Sequence, residues 1–164
     1  MSVNSTPATW TPGEIVSAAK MNTEVRDFAA GLQGVWEVFT PTWTAATTNP
    51  ALGNGTLTGR MLRVGKTIIC NITLVAGSTT TYGSGAWIFA LPVPSVWATL
   101  TNIAMGGAVA FDTSATARRT GQVFNNAPGT VQVLLDTGAV VAAAAPWTWA
   151  TGDSLSLDLV YEAN

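Results

Sequence analysis

The chain has 164 residues and a net charge of −2, and only 10% of its residues are charged. Soluble domains usually have about 25% charged residues, so neutral polar groups must cover most of this surface. A weakly acidic chain without clustered Lys and Arg has no electrostatic basis for binding phosphates, which argues against nucleic-acid binding. The length suffices for one packed domain and a separate element of about 40 residues.

The residue types exclude most catalytic sites. The chain has no histidine and a single cysteine, Cys70, which removes His-based triads, Cys–His pairs and nearly every metal site. Cys70 is interpreted as a small buried core residue. The carboxylates show no spacing typical of a glycosidase pair, and Asp136, Asp153 and Asp158 are interpreted as solvated. We therefore predict a protein without catalytic residues, metal or cofactor.

The N-terminus shows no secretory signal. Residues 1–7 have neither a basic start nor a sufficient apolar run, so we expect synthesis and assembly in a cytoplasm. The longest charge-free apolar stretch, residues 139–149, contains Pro146. Because this stretch is shorter than the roughly 20 residues that a bilayer requires, we expect no membrane association.

One helix is predicted, at about residues 17–33. Ser17 is a suitable N-cap, and Thr11, Pro12 and Glu14 offer an alternative start as a capping box. Apolar residues three and four apart form a seam typical of a coiled coil. The seam covers only about two heptads, so a single helix packed on its own β-domain remains an equal alternative. The seam residues are Ala18, Met21, Val25, Phe28 and Leu32.

Alternating apolar and polar residues predict strands after the helix. The inward faces of two strands are predicted to hold Ile68, Cys70, Ile72, Leu74, Leu155, Leu157, Leu159 and Tyr161. The predicted strands lie at 57–64, 67–74, 86–91, 103–111, 122–125, 130–136 and 154–162, with a hairpin at Gly65 and Lys66. This pattern favours a mainly β fold with an antiparallel β-sandwich or jelly roll. The predicted organisation is an N-terminal arm at 1–38 and a β-domain at 39–164.

The chain has seven tryptophans, more than its size would suggest. Trp147 and Trp149 would lie on one face of an extended chain, as a small aromatic platform. Such a platform, together with Tyr82, packs in a core or a subunit interface, or stacks on a sugar ring. Packing is favoured because no cluster of Asn, Asp and Gln accompanies the pair.

Two segments have more specific motifs. Residues 9–27 read TWTPGEIVSAAKMNTEVRD. The second segment runs from FTPTWT at 39–44 through NGTLTGR at 54–60 and GKT at 65–67 to GSTTTYG at 77–83. The first resembles the N-terminal attachment segment of structural proteins from tailed bacteriophages, especially those infecting actinobacteria. The second is similar to the β-domain of the same proteins, which include capsid decorations, head fibres and minor tail proteins.

The resemblance implies a virion surface protein without enzymatic activity that is synthesised in the cytoplasm of a bacterial host. It favours a homotrimeric capsid decoration protein, cement-like or head-fibre-like, whose arm docks on the major capsid protein or another virion protein and whose β-domain projects outward. The helix is short, roughly 25 Å at about 1.5 Å per residue, which favours the capsid over the tail. The alternative is a minor tail or tail-fibre protein that recognises host surface glycans. The residues expected at the docking surface or trimer seam are Trp10, Ile15, Ala18, Met21, Val25, Phe28, Leu32 and Trp36.

Overall fold

The computed structural model describes residues 9–27, 29, 34–97 and 99–164. The chain is 49% strand and 7% helix, which confirms the mainly β class. The predicted N-cap is confirmed, because the Ser17 hydroxyl accepts a hydrogen bond from the backbone N–H of Lys20 at 3.2 Å. Helix α1 spans Ala18–Met21 and continues into a π-helical turn at Asn22–Arg26. The predicted helix end at residue 33 lies outside the described residues.

In the described part of the chain, nine antiparallel strands follow, all in one curled sheet. They are β1 (Glu37–Phe39), β2 (Trp43–Ala45), β3 (Thr56–Val64), β4 (Thr67–Val75), β5 (Trp87–Ala90), β6 (Ala104–Asp112), β7 (Ala117–Ala127), β8 (Thr130–Leu135) and β9 (Ser154–Glu162). Their order across the sheet is β1-β3-β4-β9-β6-β7-β8-β5-β2. Strands β3 to β9 correspond to the predicted strands, and β7 is longer at both ends than predicted. Strands β1 and β2 were not predicted.

The inward faces of the neighbouring strands β4 and β9 lie at the centre of the core. Cys70 is paired with Leu159 and Ile72 with Leu157, and all four side chains are buried. The predicted inward faces of both strands are therefore confirmed. Full burial of an aliphatic side chain contributes about 1.5–3 kcal/mol, so this alternation is the main reason why the chain forms a sheet around one core.

The two edges of the sheet lie near each other. Among the residues that the structure describes, edge strand β1 pairs only with β3, and edge strand β2 pairs only with β5. These two strands are consecutive in the chain, separated by residues 40–42 alone. The Cα atoms of Phe39 and Trp43 are four steps apart, so they lie at most about 15 Å from each other. The sheet must therefore curl almost into a closed barrel.

One end of the barrel holds both the arm junction and the C-terminus, and we call it the arm end. Residues 34–36 lie beside the end of β3, where a Cβ on Gly34 would overlap with Leu62. The backbone N–H of Ala163 donates to the carbonyl of Lys66 at 2.7 Å. The last residues of the chain thus lie beside the hairpin between β3 and β4.

The opposite end, which we call the loop end, is formed by the loops at 46–55, 76–86, 113–116 and 136–153. Asp153 is 1% exposed and holds two of these loops. Its carboxylate accepts hydrogen bonds from the backbone N–H of Thr113 at 3.0 Å and of Ala150 at 2.8 Å. The interpretation of Asp153 as solvated was wrong, because its buried carboxylate is the acceptor for two loop amides.

Candidate docking surface

Large apolar side chains are exposed mainly in the arm. Among the described residues, eight of the twelve exposed large hydrophobic side chains lie between residues 10 and 38. The most exposed is Ile15, at 91%. These eight residues are Trp10, Ile15, Val16, Met21, Val25, Val35, Trp36 and Val38. A contiguous segment of this kind is typical of a surface that binds a partner.

The described part of the helix does not pack on the β-domain. Neither α1 nor the π-helical turn that follows it has a buried residue. Met21 is 44% and Val25 49% exposed, and Ala18 is exposed as well. The alternative of a helix packed on its own β-domain therefore finds no support between residues 18 and 26. The remaining seam residues, Phe28 and Leu32, lie outside the described residues.

The segment before α1 is a turn. The backbone N–H of Glu14 donates to the carbonyl of Thr11 at 3.1 Å, and Gly13 has a φ of +82°. The alternative helix start at Thr11 was therefore wrong, since the residues that would cap it close a turn. The Glu14 carboxylate is paired with Lys20, whose hydrogen bond is the main reason that the pKa of Glu14 is lowered. The ammonium group of Lys20 also lies 4.6 Å from the ring centroid of Trp10. These contacts join the turn to the helix.

The arm meets the β-domain at Trp36. This side chain is 39% exposed, and its ring centroid lies 5.5 Å from the guanidinium carbon of Arg60 on β3. Of the exposed apolar residues near this junction, Val35 and Val38 were not predicted at the docking surface, nor was Val16 in the arm. Each is one or two residues from a predicted position. The sequence shows that this segment is apolar, but the course of the backbone decides which of its side chains are exposed.

Of the proposed aromatic platform, Trp149 belongs to the core, and Trp147 and Tyr82 are partly buried and pack against it. Trp149 is 3% exposed, and its indole N–H donates to the carbonyl of Ala142 at 3.0 Å. Its ring centroid lies 4.8 Å from that of Trp87 and 5.7 Å from that of Trp147. The ring of Tyr82 stacks on Trp87 at 6.2 Å. Stacking on a sugar needs an exposed ring face, so of the two alternatives for Trp149 the burial of its ring fits packing, which the sequence favoured.

The predicted platform assumed an extended chain from Trp147 to Trp149. Residues 147–149 lie outside the strands, in the long loop before β9. Trp147 is only partly buried, yet its indole nitrogen is enclosed and has no hydrogen-bond partner. The cluster of four large rings fills the space between the loop end and the sheet, which explains much of the tryptophan content.

Three further observations concern metal binding, membrane-spanning helices and the Cys70 thiol. Within the described ranges, no group of three or more His, Cys, Asp or Glu residues lies close enough to hold a metal ion. No helix in those ranges is both long and apolar enough to cross a membrane. Burial raises the pKa of the Cys70 thiol to about 12, so the thiolate form is strongly disfavoured at neutral pH.

No protein-family model matches this chain, and no curated protein matches its sequence. The features that bear on its function are therefore the arm, the β-domain and the two segments at 9–27 and 39–83.

Proposed function

We propose that this chain is a bacteriophage virion structural protein, a homotrimeric capsid decoration protein of the cement or head-fibre type. Its arm docks on the major capsid protein or another virion protein, and its β-domain projects from the virion surface. It is a binding and structural component and not an enzyme. The observation that supports this most is the concentration of exposed apolar side chains between residues 10 and 38. The resemblance of residues 9–27 to a phage attachment segment agrees with it.

The energetics favour docking through the arm. Burying one large apolar side chain contributes about 1.5–3 kcal/mol, so several arm residues together are enough to offset the cost of ordering and association. The turn at Thr11–Glu14 and the contacts of Lys20 order part of the arm before binding, which lowers that cost. By contrast, only four large hydrophobic residues are exposed in the rest of the described chain.

The positions of the two ends of the barrel agree with a β-domain that projects outward. The arm junction and the C-terminal residues lie together at the arm end, and the loop end is at the other end of the strands. A particle bound through the arm would therefore face the arm end. The loops at 46–55 and 76–86 would face solvent, and they are rich in Thr, Ser, Asn and Gly.

Imaging of the virion tests the proposal directly. We expect density for this protein at regular sites on the capsid, with a copy number that is a multiple of three in each repeating unit. A quantitative gel of purified particles should give on the order of hundreds of copies, as capsid symmetry requires. A few copies confined to the tail would overturn the capsid assignment, and absence from purified particles would overturn the virion assignment altogether.

A further inference from the structure

The outward face of β3, β4 and β9 has a row of apolar side chains. Leu62 on β3 is paired with Ile69 on β4, and Ile69 is paired with Val160 on β9. Because their chain neighbours Met61, Cys70 and Leu159 form the inward row, these three side chains point away from the core. Val160 is 58% exposed. Adjacent strands are about 4.8 Å apart, so the row spans roughly 10 Å.

Two opposite charges lie on the same face, in the neighbouring row. Arg60 on β3 is paired with Asn71 on β4, and Asn71 is paired with Asp158 on β9. The charges are therefore two strands apart, at the β3 and β9 ends of a row that runs parallel to the apolar row. Neither belongs to an ion pair among the described residues. The Arg60 guanidinium lies over Trp36, toward β1 and away from Asp158, and the Asp158 carboxylate accepts from Asn71.

The apolar row is continuous with the apolar surface of the arm. Val38 on β1 is paired with Arg60, so it points outward on the same face, in the row next to the apolar row. It is 78% exposed. Gly34 is in close contact with Leu62, and Val35, which follows it, is 79% exposed. A partner that covers the row would thus also cover the first part of the junction with the arm.

We propose that this face binds a second copy of the chain. Arg60 of one copy lies against Asp158 of the next, and the apolar rows of the copies meet around the symmetry axis. The occupant is inferred from the charges: each face presents a cation at one side and an anion at the other, so a neighbouring copy offers the complement of both. The inference deepens the proposed function, since it names the contact between the subunits of the proposed trimer.

Charge reversal in the full chain tests the contact. Arg60→Glu and Asp158→Arg should each weaken self-association about tenfold or more, measured by analytical ultracentrifugation, because like charges then face each other. Arg60→Glu combined with Asp158→Arg should restore it. Mixing the two single variants should also produce mixed oligomers, because the introduced glutamate and the introduced arginine then face each other from different copies. A mixture that associates no better than either variant alone would overturn the proposal.

A second pair of variants tests the apolar row. Val160→Asp should weaken self-association about tenfold or more, whereas Leu134→Asp, at an exposed apolar position on β8, should leave it unchanged. Melting temperatures show whether each variant is folded. A wild-type chain that is monomeric at all concentrations would overturn the inference even if its arm binds particles. Normal self-association in a chain that binds no particle would instead contradict the proposed function alone.

Discussion

Asn54 and Thr79 hold each other through reciprocal backbone and side-chain hydrogen bonds. The backbone N–H of Thr79 donates to the side-chain oxygen of Asn54 at 2.9 Å, and the backbone N–H of Asn54 donates to the Thr79 hydroxyl oxygen at 2.9 Å. The hydroxyl also donates to the Asn54 side-chain oxygen, at 2.9 Å. This contact joins the loops at 46–55 and 76–86. It brings together two separate parts of the segment at 39–83.

Thr79→Val should destabilise the β-domain without disturbing its core. The change removes one acceptor and one donor from the contact with Asn54 at nearly constant volume, which should cost about 1–2 kcal/mol of unfolding free energy. Urea denaturation measures the loss. Thr58→Val, at an exposed position on β3, is the matched control and should change the stability by less than about 0.5 kcal/mol. Equal stability of the two variants would show that the loop contact contributes nothing.

Two neighbouring glycines on β6 should respond very differently to alanine. A Cβ on Gly106 would overlap with the backbone carbonyl of Asp158, whereas a Cβ on Gly107 would meet only the Gly121 carbonyl oxygen, 4.0 Å away. Gly106→Ala should therefore destabilise the fold by roughly 2 kcal/mol or more, since the backbone of β9 must shift. Gly107→Ala should be neutral or slightly stabilising. If both variants melt at the same temperature, the close approach of β6 and β9 is wrong.

Stability should fall at alkaline pH. Burial raises the pKa of Cys70 to about 12 and also raises the pKa of Tyr161. Both groups release protons at lower pH in the unfolded chain than in the folded one. Their contribution is fully present below about pH 9 and is lost as the pH rises toward the folded values, by about 1.4 kcal/mol per pH unit for each group that titrates.

Urea denaturation between about pH 8 and pH 10.5 checks this dependence. Cys70→Ala, which removes one of the two groups, should have a shallower slope than the wild type in the same range. A wild-type stability that is constant or increases with pH would contradict the burial of these groups. A thiol reagent at about pH 8 should also leave the folded chain unmodified and react fully in denaturant.

The sequence predicted the long strands well because one face of each is buried. In β4 and β9, apolar residues alternate with Thr, Asn, Ser and Asp, and the period of two needs several residues to be visible. Strands β1 and β2 have only three residues each and are separated by Thr40, Pro41 and Thr42, so they are too short for the pattern. Their formation depends on the neighbouring strands β3 and β5, which sequence periodicity does not describe.

The candidate sites were harder to predict because they depend on contacts distant in sequence. Asp153 is buried since it accepts from Thr113, which lies 40 positions away. Trp149 is buried because the loop before β9 folds back on Trp87. The arm was easier to predict, because its apolar residues do not alternate as in a strand and so are not accounted for by a sheet. Their high exposure agrees with a segment that requires a partner, although Val35 and Val38 had to be located from the fold.

In the proposed function, the arm attaches the protein to its particle. Co-sedimentation with capsids that lack this protein, comparing the full chain with a chain that begins at Val35, tests it most directly. The core lies wholly downstream, from Trp43 onward, so the shortened chain should fold, as thermal melting can verify. We expect it to lose binding, and Ile15→Asp with Val25→Asp to do the same, whereas Thr23→Asp should bind normally. Binding of the shortened chain at full occupancy would place the attachment site at or beyond Val35, outside the turn and helix of the arm, and contradict the account.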